Sequence, residues 1–114
     1  MIQHTILVAD DQPDNLRIIV DYLRTPDLQR EILIAPNGKI ACEIADKKLP
    51  DLIITDWEMP VMNGIETIEA LKNSERTKDI PIIIATGVMT TVENFKTALE
   101  AGAVDFIRKP IDKT

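Results

Sequence analysis

The chain has 114 residues, 45% of them hydrophobic and 28% charged, which describes one ordinary globular domain with room for a single core. Its formal net charge of −6 argues against direct nucleic-acid binding, which needs a clustered basic footprint. No cleavable leader and no run of membrane-spanning length stands out, so the expectation is a cytoplasmic protein that does not enter a membrane.

The first short apolar run, Ile6-Leu7-Val8-Ala9, ends in Asp10-Asp11. Apolar residues at helical spacing follow at Leu16, Ile19, Val20 and Leu23. A second run, Ile32–Ala35, precedes a stripe of Ile40, Ala41, Ile44 and Ala45. Cys42 lies in that stripe; as a lone cysteine it excludes an internal disulfide and reads as a small buried hydrophobe. Lys47-Lys48, like Arg76 and Lys78 further on, are short basic patches offset by neighbouring acids and read as solvated surface.

The third run, Leu52-Ile53-Ile54-Thr55, ends in Asp56 and is followed by Trp57-Glu58-Met59-Pro60 and the turn residues Asn63-Gly64. Ile65, Ile68 and Leu71 mark the next helix, with Asn63 and Glu66 at capping-box spacing. Ile82–Ala85 leads to Thr86-Gly87, then to a stripe of Val92, Phe95, Ala98 and Leu99 in which Thr90 and Glu93 repeat the cap spacing and Gly102 stops the helix. Val104–Ile107 leads into Lys109-Pro110.

The five apolar runs lack strict polar alternation, as strands covered on both faces do. The four stripes between them are amphipathic helices. Alternation of this kind predicts an α/β fold built on a parallel sheet with right-handed crossovers. After Lys109-Pro110 only Ile111-Asp112-Lys113-Thr114 remain, too short for a helix over the last strand. The expectation is a single domain over residues 1–114, truncated before its final helix, whose natural polypeptide continues past Thr114. Uncovered apolar side chains cost about 1.5–3 kcal/mol each, against a domain stability of about 5–15 kcal/mol, so self-association of this chain is expected.

In an open α/β sheet, ligands bind outside the carboxyl ends of the strands, where Asp10, Asp11 and Asp56 would all arrive. Taken alone, Asp10-Asp11 reads as a helix N-cap. Joined to Asp56 the pair forms a cluster of like charges that calls for a cation, and carboxylate oxygens suit a hard ion such as Mg²⁺. Lys109 can place a positive charge opposite the cluster, and Pro110 fixes the backbone beside it. Thr86, in isolation an ordinary turn residue, adds a hydroxyl at the same edge.

This ordered set, Asp10-Asp11, Asp56 with Met59-Pro60 and Gly64, Thr86, and Phe106 with Lys109-Pro110, resembles the receiver domain of two-component response regulators over essentially the whole chain. The resemblance implies a flavodoxin-like, doubly wound sheet in the order 2-1-3-4-5. It implies that Asp56 accepts a phosphoryl group from a histidine kinase or a phosphotransfer domain, assisted by Lys109 and Thr86. Asp10, Asp11, Asp56 and the backbone carbonyl of Glu58 would hold Mg²⁺. Thr86 and Phe106 would then switch, changing the surface of the fourth helix and fifth strand toward an output domain or effector protein. Phe106 reads equally as a core residue.

Around that site, Glu58 is either a solvated loop acid or a modulator of the metal and of phosphoryl lifetime. Val88 is placed to shield the phosphoryl group, and Trp57 to act as a half-exposed gate. His4 reads as surface, and the chain has no second histidine, so a phosphohistidine must come from elsewhere. The domain is not expected to be an enzyme beyond turnover of its own phosphoryl group. Two other functions compete: a receiver-like module that binds partners without phosphorylation, and a metal-dependent phosphohydrolase of haloacid-dehalogenase type. Nothing two residues past a first-strand nucleophile supplies the general acid that the latter needs.

Overall fold

A computed structural model describes residues 4–23, 30–86 and 92–108. Its elements alternate as read: β1 (His4–Ala9), α1 (Pro13–Leu23), β2 (Arg30–Ala35), α2 (Gly38–Lys48), β3 (Leu52–Asp56), α3 (Gly64–Lys72), β4 (Ile82–Thr86), α4 (Val92–Ala101) and β5 (Asp105–Arg108). The strands form one parallel sheet in the order β2-β1-β3-β4-β5. Five of the sequence readings, Gly87, Val88, the Thr90 cap, Lys109 and Pro110, fall outside the described residues, and so does the expected absence of a last helix.

Strand periodicity splits the apolar residues between two faces. Leu7, Ala9, Ile53, Ile82 and Ile84 point to one side, where α2, α3 and α4 contribute Ala41, Ala45, Ile68, Leu71 and Ala98 to the larger core. Ile6, Val8, Ile54 and Ala85 point to the other, where Ile19 of α1 meets them. Each strand thus supplies both cores, which is why its sequence runs apolar without alternation.

Helix ends are set by local chemistry. Asn63 and Glu66 form the reciprocal capping box expected of them, at 2.9 and 3.1 Å. Asn37 caps α2 through a 2.9 Å bond from the Ile40 N–H, a cap for which the punctuation Pro36-Asn37-Gly38 was the available signal. At the end of α4, Gly102 donates to the Leu99 carbonyl and Ala103 to that of Ala98, at 3.1 and 3.0 Å, which is the Schellman pattern.

Three expectations change. Leu99, read as part of the α4 stripe, is exposed, with Ala98 taking the core position. Val104 is an exposed bend residue rather than the start of the last strand. Cys42 is half-buried against the core instead of enclosed by it. In addition, Ile34 stands exposed on β2, the sheet's edge strand, where it has a neighbour on one side only.

Candidate functional site

The carboxyl ends of β1, β3 and β4 place the acids and the threonine. The Asp10 N–H donates to the Ala35 carbonyl at 3.1 Å, so the β1–β2 ladder runs right up to this residue. Its side chain is buried, and Oδ1 accepts from the Gln12 N–H at 2.9 Å, turning the chain into α1. Asp11, next to it, is half-buried. Asp56 closes β3 in register with Ala85 of β4 and is buried as well. Carboxylate oxygens of Asp10, Asp11 and Asp56 all lie within 4.8 Å of one another.

Three carboxylates at this separation repel, and two of them are buried where solvent screens poorly. Clustered hard oxygen donors fit a divalent cation of the Mg²⁺ type, which keeps several waters and takes a few carboxylates. The residues therefore suit the ion that the sequence called for.

Thr86 ends β4 and is buried, in register with Arg108. Phe106 lies opposite Ile84 and packs half-buried against the larger core. Since Ile84 and Thr86 are two residues apart, Thr86 and Phe106 share one face of the sheet. The structure thus brings Asp10, Asp11 and Asp56 together and sets Thr86 and Phe106 beside each other on neighbouring strands; Lys109 lies beyond the described residues.

The segment from Trp57 to Gly64 forms a closed loop over this edge. The Trp57 N–H donates to Ala85 at 3.0 Å, and the Gly64 N–H closes the loop onto the Trp57 carbonyl at 2.8 Å. Met59 is buried in the core and Trp57 half-buried against it, while Glu58 is exposed. At the tip, Val61 adopts φ +70° and the Met62 N–H donates to the Pro60 carbonyl at 2.7 Å. This is a γ-turn of the rarer, strained, positive-φ kind. Its central side chain is 77% exposed, so no burial offsets the strain. Nothing in the sequence signals this conformation, since a valine seldom adopts a positive φ.

Away from this edge, burial and then the neighbouring Glu43 charge push the Cys42 thiol above its usual range. His4 is exposed, 3.9 Å from Asp51. No helix among the described residues is long and apolar enough to cross a membrane.

The sequence matches the response regulator receiver domain family over residues 6–114. It is 43% identical, over 96% of its length, to a protein-glutamate methylesterase/protein-glutamine glutaminase of Desulfotalea psychrophila, and covers 30% of that relative. It is 38% identical, again over 96% of its length, to a probable cyclic di-GMP phosphodiesterase of Vibrio cholerae, and covers 24% of it. The chain thus spans less than a third of either curated relative. Among solved structures, the Vibrio cholerae chemotaxis protein CheY4 superposes with a TM-score of 0.88 at 29% identity, covering 97% of this chain and 90% of that one. With its parallel 2-1-3-4-5 sheet and an acidic cluster at the strand ends, the chain belongs to the response regulator receiver domain family of two-component signalling.

Proposed function

We propose that this domain is a phosphorylation-driven switch in which Asp56 is the phospho-acceptor. The observation that carries the reading is the meeting of Asp10, Asp11 and Asp56 within 4.8 Å at the carboxyl edge of the sheet. An Asp56 carboxylate oxygen attacks the phosphorus of a phosphohistidine on a kinase or phosphotransfer domain. The P–N bond breaks, the imidazole leaves and takes up a proton, and an aspartyl phosphate remains. Water later attacks the phosphorus, returning the carboxylate and releasing phosphate.

Transfer through a loose transition state needs position and charge neutralisation more than covalent assistance. Asp56 is held in position by the β3–β4 ladder on one side and the closed Trp57–Gly64 loop on the other. Asp10, Asp11, the Asp56 carboxylate and the Glu58 carbonyl would hold Mg²⁺, which when bound neutralises charge on the phosphoryl oxygens. Lys109 adds a second positive charge to the acyl phosphate.

Phosphorylation brings about 1.5–2 negative charges to a hydroxyl; on a carboxylate already charged, the gain is roughly one. The added charge and oxygens draw the Thr86 hydroxyl toward the site. Space vacated by Thr86 lies on the face that Phe106 shares, so the two side chains move together. The α4–β5 surface then passes the change to an output domain or effector protein.

The test is incubation with acetyl phosphate, with and without Mg²⁺, followed by intact mass for wild type and Asp56→Ala. A gain of one phosphoryl group that needs Mg²⁺ and is lost in the variant is the expected result. A folded wild-type chain that gains nothing would leave a module that binds partners without phosphorylation.

A further inference from the structure

The start of α2 lies against the loop that closes over the acidic edge. A methyl group on the Gly38 α-carbon would overlap the Thr67 hydroxyl of α3, and would come within 2.7 Å of the Met62 carbonyl oxygen and 3.1 Å of the Met62 Cβ. These neighbours differ in kind. Thr67 Oγ1 is a side-chain atom that donates to the Asn63 carbonyl at 2.7 Å, and a substitution can remove it. The Met62 carbonyl is main chain and can yield only if the loop moves.

The loop has little freedom to absorb such a move locally. Met62 is tied to Pro60 through the strained turn at Val61, and Gly64 is tied to Trp57, both by main-chain bonds. Buried Met59 and the Asn63–Glu66 capping box fix its two flanks. A strained φ persists only where the surroundings over-determine it, and Gly38 brings α2 up against Met62. Displacing Met62 therefore moves the loop as a unit, and with it the main chain at Trp57 and Glu58.

We infer that Gly38 is a positioning residue for the acidic site: by letting α2 meet the Met62 carbonyl, it sets the loop that carries Glu58. The inference rests on the proposed phospho-acceptor function. It separates two costs of a side chain at this position. Overlap with Thr67 costs stability, whereas displacement of Met62 costs Mg²⁺ binding and phosphoryl acceptance.

The experiment uses Gly38→Ala, Thr67→Ala, the double variant, and Arg76→Ala as a control. Arg76 holds the other end of α2, donating to the Asp46 carbonyl from Nε and Nη2 at 3.1 and 2.8 Å. Thermal melting reports stability, the fluorescence of Trp57 under Mg²⁺ titration reports binding, and intact mass after acetyl phosphate reports acceptance. Gly38→Ala is expected to melt well below wild type. The double variant recovers most of that loss over Thr67→Ala, yet binds Mg²⁺ roughly tenfold more weakly than Thr67→Ala, since small misplacements cost this much or more. Arg76→Ala melts lower with Mg²⁺ binding unchanged.

A double variant that binds Mg²⁺ as well as Thr67→Ala overturns the inference. So does a double variant that fails to fold, because relief of the Thr67 overlap is predicted to restore the fold. Loss of Mg²⁺ binding in Arg76→Ala equal to that in the double variant would reduce the effect to stability and overturn it too. If wild type neither binds Mg²⁺ nor gains a phosphoryl group, the functional reading itself fails and takes the inference with it.

Discussion

Gly64 lies so close to Asp56 that a methyl group on its α-carbon would overlap the Asp56 carbonyl oxygen and come within 2.9 Å of the Trp57 α-carbon. Both neighbours are main chain and cannot rotate away. Gly64→Ala should cost about 1–3 kcal/mol by overpacking. It should also push the acceptor out of line and slow acetyl-phosphate labelling roughly tenfold to hundredfold. Melting curves and mass time courses check the two effects separately; labelling at the wild-type rate would show that Asp56 does not depend on this contact for its position.

Asp11 is the half-buried member of the acidic cluster. Asp11→Asn removes one of three mutually repelling charges, so without divalent ions it should stabilise the domain by about 1 kcal/mol, a fraction of the Coulomb repulsion expected at this separation. For a domain of this size that raises the melting temperature by roughly 4 °C. Mg²⁺ should then raise the melting point of wild type by more than that of the variant, because ligand binding to the folded state alone is stabilising. Equal Mg²⁺ shifts would count against a shared ion.

Thr86 and Phe106 offer a test of the coupled switch. Thr86→Val keeps the shape and removes the hydroxyl, at about 1–3 kcal/mol for a buried polar group's lost partner. Asp56 should still be labelled by acetyl phosphate. The phosphorylation-dependent change in amide exchange across the end of α4 and β5 should vanish, and Thr86→Ser should restore it. A Val variant that keeps the change would uncouple Thr86 from the switch.

Element order and the acidic cluster were readable in the sequence because both follow from residues at the ends of apolar runs: Asp10 after Ala9, Asp56 after Thr55, Thr86 after Ala85. Capping was readable where both partners are polar, as with Asn63 and Glu66. Exposure was harder. Leu99 and Ala98 are adjacent apolar residues of one stripe, and only the position of the sheet decides that alanine faces inward. Ile34 stands uncovered because β2 is an edge strand, a property of the strand order rather than of the run itself. Least readable were Gly38 and Val61, whose importance lies in what another segment of chain brings against them or in a backbone angle that their neighbours impose.

Leu49 caps α2 at φ +46° with its N–H donating to the Ala45 carbonyl at 2.9 Å. A left-handed conformation costs a β-carbon-bearing residue about 1–2 kcal/mol, and this residue is 45% exposed. Leu49→Gly should therefore gain about 0.5–1 kcal/mol, the strain relieved less the greater freedom of glycine in the unfolded chain. Chemical denaturation with an unchanged slope and a higher midpoint is the expected signature; a lower midpoint would mean that the leucine side chain contributes more by packing than its backbone loses.

Cys42 gives the domain a term in its alkaline stability. Burial, then the Glu43 charge, raises its thiol pKa from 9.0. A folded-state pKa above the unfolded one means that the folded chain holds the proton longer. The contribution is therefore fully present below the unfolded value and lost as pH rises through the folded one. Cys42→Ala should flatten the fall in stability above pH 9, and alkylation of native Cys42 should lag behind that of a denatured sample at the same pH. Equal alkylation rates would remove the basis for this effect.

The opposite edge of the sheet is stitched by side chains onto main chain. The Lys72 ammonium donates to the carbonyls of Lys78 and Ile80 at 2.9 and 3.0 Å while its stem lies under Gly102. Arg76 holds the end of α2, and Asp51 accepts from the Thr5 N–H at 2.8 Å. The two ends of the strands are thus tied differently: side chains reach to main chain at the amino ends, whereas at the carboxyl ends main chain bonds to main chain through Asp10 and the Trp57–Gly64 loop. Truncating Lys72 would therefore strip two carbonyls of their donor at the amino end while leaving every residue of the acidic edge intact.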